Sequence, residues 1–326
     1  MEEMLAINII ALCLSYFVLA GGVMIHINQD EIIGSTIPAK DADMMIIQTG
    51  DGDVYNCVDI YKQPALNHPL LKNHTMQMEP SSYPLDLDIQ SIMSSNISEA
   101  DFPDVKCPAR TIPILLNDNS SKAYVPNGLQ EEVWPSFSGD RFARFHIRWV
   151  DSSNKPCYDF RCPGFVQVSE VAAIGGRITP VSVYNGPQYV ITVMLFQDRK
   201  TKDWWLARLD KSSAVGFRAL GYWPRRLFTS LQEKATFAFW GGWVRGPTVS
   251  SDPPPMGSGR FAKEGYRKAA FVKAIKIANR DNNFVNPNAG KGTPVTTRPP
   301  CYTVDGFGVV DAGMHAFFGG PGECPS

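Results

Sequence analysis

Between Arg144 and Trp149, apolar Phe145, Ile147 and Trp149 alternate with Arg144, His146 and Arg148. That period of two predicts a strand with one face buried and the other in water. Tyr189 to Phe196, reading YVITVMLF, is apolar on both faces and bounded by Gly186-Pro187 and Asp198, the pattern of a central strand. Gln197 to Asp203 then predicts a hairpin turn into WWLARL, and KAAFVKAIKIA at Lys268 to Ala278 adds another β-rich run. A helix is the alternative for that run, because Ala and Lys are good helix formers. Asn279 to Pro300 is polar, with Asn, Gly and Pro clustered, and predicts a long surface loop. Earlier in the chain the turn-forming run TGDGD at Thr49 to Asp53 is followed by a segment in which Pro64, Pro69 and Pro80 keep any helix short. This segment reads as a compact, loop-rich module. Ser81 to Pro103 shifts to Ser, Asp, Pro and Asn, the character of a linker, so a domain boundary is expected near residue 104.

The densest cluster of glycine and aromatic residues runs from Gly221 to Gly259 and contains GYWPRRLF, FWGGWV and MGSG. Trp223, Phe228, Trp240 and Trp243 bring large apolar area, while the glycines permit turns and close backbone approach. Together with the strand patterns, this punctuation predicts an all-β fold.

Composition narrows the function. Thirty-one Lys and Arg against 32 Asp and Glu leave a net charge of -1, without the electrostatic footprint of a general nucleic-acid binder. The apolar run at residues 1–22 ends in Ala20-Gly21-Gly22 and reads as a signal peptide, although Glu2 and Glu3 are atypical at its start. An uncleaved anchor is the alternative; removal of the run would leave no stable membrane span. Of the seven Cys, Cys13 lies in that segment, and the other six form an even set suited to an oxidising compartment. Sequence neighbourhood favours Cys157 with Cys162 and Cys301 with Cys324, and Cys57 with Cys107 follows by elimination. Three N-x-S/T triplets, at Asn73, Asn96 and Asn119, suggest glycosylation on the same route. The five His show neither HExxH nor paired metal spacing, so no metal or other cofactor is expected. Ser258 in MGSG lacks the GxSxG form of a nucleophile elbow and reads as a turn residue.

Specific motifs then carry a resemblance. DVYNCVDIYKQPALNHPLLKNHT, VKCPARTIPILL, CYDFRCPGFVQ, GYWPRRLF, FWGGWV, MGSGRF and the final FFGGPG occur in the order of the plant neprosin family. The chain resembles that family over most of residues 50–326. The resemblance implies an activation domain with its linker at 23–104 and an antiparallel β-sandwich at 105–326. It also implies a secreted, proline-cleaving glutamic endopeptidase, made as a zymogen and acting on peptide or protein substrates, with an extracellular, vacuolar or cell-wall destination and a monomeric state. In such a mechanism two glutamates share a cleft; one keeps its proton and serves as acid while the other activates water.

Both glutamate positions depart from the family. The WGGEV-like motif is Trp240-Gly241-Gly242-Trp243-Val244 here, with Trp243 in place of one carboxylate. Stepping back from Val133-Trp134-Pro135-Ser136-Phe137-Ser138-Gly139-Asp140, the VxPxxxGD segment, puts Gly128 at the other. Glu131 and Glu132 lie nearby, but three or four residues move a side chain roughly 10 to 13 Å along a strand. They read as a solvated pair and only weakly as substitutes. The stretch between Thr111–Ile114 and Val133 is also shorter than the resemblance implies, so an incomplete sandwich is expected. Two functions follow. One is a peptidase, with catalysis lost or carried by a neighbouring carboxylate. The other is a binding-only relative whose Trp223, Trp240 and Trp243 line a groove for proline-rich segments.

Overall fold

The computed structural model describes residues 11–15, 45–85, 97–100, 104–116, 128–132, 135–244, 251–288, 293–310, 313–322 and 324. The strands in chain order are β1 (Ala11–Ser15), β2 (Met45–Gln48), β3 (Val54–Asp59), β4 (Ser98–Glu99), β5 (Thr111–Leu115) and β6 (Gly128–Glu132). They continue with β7 (Arg144–Val150), β8 (Pro156–Tyr158), β9 (Val166–Gln167), β10 (Tyr189–Gln197), β11 (Trp204–Leu209) and β12 (Phe217–Trp223). The last are β13 (Ala270–Lys273), β14 (Ile277–Ala278), β15 (Phe284–Val285), β16 (Thr303–Val310) and β17 (Gly313–Gly319). Helical structure among the described residues is confined to single turns, including α1 (Pro135–Ser138).

The largest sheet has the order β16-β17-β13-β1-β10-β11-β12-β9, antiparallel throughout, with β4 added in parallel to β10. β10 is central and buried along almost its whole length, as its two-faced apolar sequence requires. The turn after it leads into β11, which pairs β12 with a register shift at Leu206/Ala207. Gly221 sits where β12 approaches β9; a Cβ there would meet the Val166 carbonyl and the Phe165 ring. A second sheet, β6-β7-β8, packs over the β9–β12 end, and Trp149 of β7 meets Trp223 with ring centroids 5.9 Å apart. These two layers enclose the main core, an all-β arrangement of antiparallel sheets.

Several expectations are corrected. The polar face of β7 is not wet: Arg144, His146 and Arg148 are all buried. Asp53 and Asp140 compensate Arg144 there, so the strand reads as amphipathic while lying inside the protein. The run at 268–278 is β-rich as expected, carrying β13 and β14 on either side of a bend, whereas the polar stretch after it, expected as a surface loop, folds back as β15 with Phe284 buried. The TGDGD run closes the β2–β3 hairpin, an element that the mixed composition of residues 23–50 concealed. Outside these corrections, Ala11–Ser15 forms β1 between β10 and β13. Without it, those two strands would each present an unpaired edge at this point.

The proline-bounded module is built as expected. Three 3₁₀ turns, Ile60–Lys62, Pro64–Asn67 and Pro69–Leu71, follow one another, and Pro opens the second and third. All three disulfides are present: Cys57–Cys107, Cys157–Cys162 and Cys301–Cys324, with Cα separations of 5.6, 5.7 and 4.6 Å. Each falls within the span that a bridge can cross.

Candidate functional site

Position 128 opens β6, where Gly128 pairs opposite Arg148; Glu131 and Glu132 pair opposite Phe145 and Arg144. Gly128, Glu131 and Glu132 thus share one strand, the two glutamates three and four residues further along it. Trp243 is 56% exposed at the end of FWGGW. Gly242 before it has no room for a side chain, because a Cβ would strike Met256 and Phe318. FWGG, MGSG and the last strand thus pack together, and Ser258 is a buried turn residue whose Oγ accepts the Arg260 N–H.

The tryptophans do not form one groove. Trp223 is 4% exposed and packs in the core against Trp149 and Phe165, with no face left for a ligand to stack on. Its place on β12, facing the second sheet, is the physical reason. Trp240 is partly buried against the main core, so Trp243 alone presents most of its ring to solvent.

The strongest polar construction joins the module at residues 45–85 to the sheets. Gln63 is fully buried. Its Nε2 donates to the Gln167 carbonyl at 3.0 Å and its Oε1 accepts the Gln167 N–H at 2.8 Å. One side-chain amide thereby pairs with the outer edge of β9 as a neighbouring strand would. Ala65 and Leu71 enter the main core beside it. Arg144, 1% exposed, donates to both Asp53 oxygens at 2.9 and 2.6 Å and to Asp140 Oδ2 at 2.6 Å. Further along, Ser81 binds Asp198 through its backbone N–H and its hydroxyl, and His68 Nε2 lies 3.4 Å from Asp151.

His74 Nε2 lies 2.7 Å from the Tyr222 hydroxyl, which also accepts the Gln77 N–H. Burial, then the Arg226 charge, pushes the His74 pKa down, while burial pushes Tyr222 up. The neutral ring therefore accepts the phenol proton. Burial alone would raise Asp140, Asp151 and Asp198. Hydrogen bonds from Arg144, from Ser153 and from the Thr201 and Ser81 groups outweigh it and hold the three carboxyls below their ordinary value. Glu99 and Asp203 move the other way, raised chiefly by burial.

Among the described residues, no three His, Cys, Asp or Glu gather as metal ligands, and no helix is long and apolar enough to cross a membrane. Asn73 is exposed; Asn96 and Asn119 lie outside the described residues. The Gln63 anchor and the buried Asp53–Arg144 pair were not foreseen. Arg144 is one of three polar residues alternating along β7, and Gln63 one polar residue in a loop-rich segment, so neither carries a local signal of its partner.

An all-β domain of antiparallel sheets with a preceding segment locked onto its sheet edge is the class that this geometry defines. The family models agree: residues 115–321 match Neprosin and residues 46–120 match Neprosin activation peptide. The chain belongs to the neprosin family, as a neprosin-like peptidase domain behind a zymogen-like activation peptide. The Gln63, Asp53, His68, His74 and Ser81 contacts all lie within the activation-peptide match.

Proposed function

We propose that this chain is a secreted, monomeric member of the proline-directed glutamic peptidase class in which glutamate catalysis has been lost. The observation that carries the reading is the residue pair Gly128 and Trp243, where the family resemblance implies the two carboxylates. A glutamic mechanism needs one group to take a proton from water and a second to give one to the leaving amine. Glycine and tryptophan do neither. The three disulfides and the exposed Asn73 sequon support passage through an oxidising compartment, on the way to the extracellular space, vacuole or cell wall. N-terminal sequencing of the secreted chain tests that route. A start near Val23 supports it and implies a mature sheet without β1; a start at Met1 contradicts it.

A binding role is the second reading, favoured by the exposure of Trp243. An open indole face beside a glycine turn suits stacking of an extended, proline-rich segment. Titration of the indole fluorescence with an oligoproline peptide, in the chain and in Trp243→Ala, tests it. Saturable quenching that Trp243→Ala removes supports binding there. An unchanged titration contradicts it.

A further inference from the structure

Ser138, His146 and Asp159 come from the end of α1, the middle of β7 and the turn after β8, and fold together. His146 Nδ1 is 2.6 Å from Asp159 Oδ2, and Nε2 faces Ser138 Oγ at 3.5 Å. The other Asp159 oxygen accepts the Ile147 N–H at 2.9 Å, which fixes the carboxylate against β7. Phe137 meets the imidazole edge-on, with centroids 5.1 Å apart, and limits rotation of the ring. The three residues are 8%, 1% and 9% exposed.

Each contact orders the next. A carboxylate at Nδ1 holds the proton there, so the Nε2 lone pair is directed to the serine hydroxyl. A buried histidine that only needed a partner would be satisfied by Asp159. The hydroxyl on its second nitrogen adds a group that can be deprotonated. The 3.5 Å separation is longer than a tight hydrogen bond, as is common before a substrate is bound.

We propose that Ser138–His146–Asp159 is an acyl-transfer relay whose substrates are small carboxylic esters. The low exposure of Ser138 restricts the acyl group to one that fits without displacing α1. Ser138 Oγ forms a bond to the ester carbonyl carbon as its proton passes to His146 Nε2. The C–O bond to the alcohol breaks, and the alkoxide leaves with that proton. Water then adds to the acyl-serine, giving a proton to Nε2; the carboxylic acid departs and the proton returns to Ser138 Oγ. Asp159 keeps its charge throughout and stabilises the imidazolium.

The test uses the full chain with a fluorophosphonate probe, peptide mapping of the adduct, and 4-nitrophenyl acetate turnover. The expected result is an adduct at Ser138, ester turnover abolished by Ser138→Ala, and a drop of about 100-fold or more in His146→Gln. If His146→Gln does not fold by circular dichroism, Asp159→Asn is read in the same way, and the adduct on the unaltered chain stands as a separate criterion. Absence of a Ser138 adduct overturns the proposal. So does labelling at Ser138 that folded His146→Gln or Asp159→Asn leaves unchanged. Ester chemistry is read independently of proline-peptide cleavage, so failure of one reading leaves the other standing.

Discussion

Arg144 can stay inside the protein only because two carboxylates meet it. A buried guanidinium is costly unless paired and hydrogen-bonded, and removing one partner leaves charge that the interior cannot solvate. Asp53→Ala is therefore expected to destabilise the chain by about 3 kcal/mol, read as a shift in denaturation midpoint at unchanged slope. Trp243→Ala, at a 56% exposed site, is expected to stay within about 0.5 kcal/mol. Equal effects of the two would contradict the assignment of structural weight to the Asp53–Arg144 pair. The sequence offers Arg144 as one of three polar residues alternating with a core face, and alternation alone says that such residues are wet. Nothing local distinguishes a solvated arginine from one met by an aspartate 91 residues earlier. Long-range pairing of this kind is invisible to any periodicity. The disulfides were legible because four of the six cysteines pair off by sequence neighbourhood, which leaves Cys57 and Cys107 for each other.

Strands with continuous apolar runs were read correctly from their residues. β10 needs burial on both faces whatever its neighbours, and β11 follows from the turn at its end. Short elements were not read. The β2–β3 hairpin carries two exposed apolar residues, Met45 and Ile46, with weak alternation, and β15 is two residues inside a polar stretch. Their pairing is fixed by partners rather than by their own pattern. Gln63 acts at this scale as a substitute strand. Gln63→Leu keeps the volume but removes both bonds to Gln167, leaving a buried N–H and carbonyl unsatisfied at the β9 edge. The expected outcome is faster hydrogen exchange at Gln167, with β10 amides unaffected. Unchanged exchange at Gln167 would show that the edge is held by β12 alone.

Acid should loosen the activation segment in two stages. His74 is held neutral in the folded state, with its pKa below the unfolded value of about 6.5. Its share of stability is complete above that value and is lost as pH falls toward the lowered folded value. Asp140, Asp151 and Asp198 are depressed carboxyls; their share is complete above the ordinary aspartate value of about 4 and is lost as pH falls through their lowered values. Glu99 and Asp203, both raised, gain stability as pH falls through their raised values, a gain complete by the ordinary carboxyl value and so made before the second stage begins. Limited proteolysis of the segment at residues 60–85 across a pH series should show a first rise below about pH 6.5, absent in His74→Gln. An identical profile in that variant would remove His74 from the account.

The central claim, loss of glutamate catalysis, is tested most directly by assaying the acidified, secreted chain against a fluorogenic proline-containing peptide over a pH series. Removing one member of an acid–base pair forfeits a factor of roughly 100 to 10,000, and here both positions are replaced. The account predicts no turnover above that of heat-inactivated protein at any pH. Clear turnover, abolished by Glu131→Gln or Glu132→Gln, would contradict it and assign the lost role to a neighbouring carboxylate on β6.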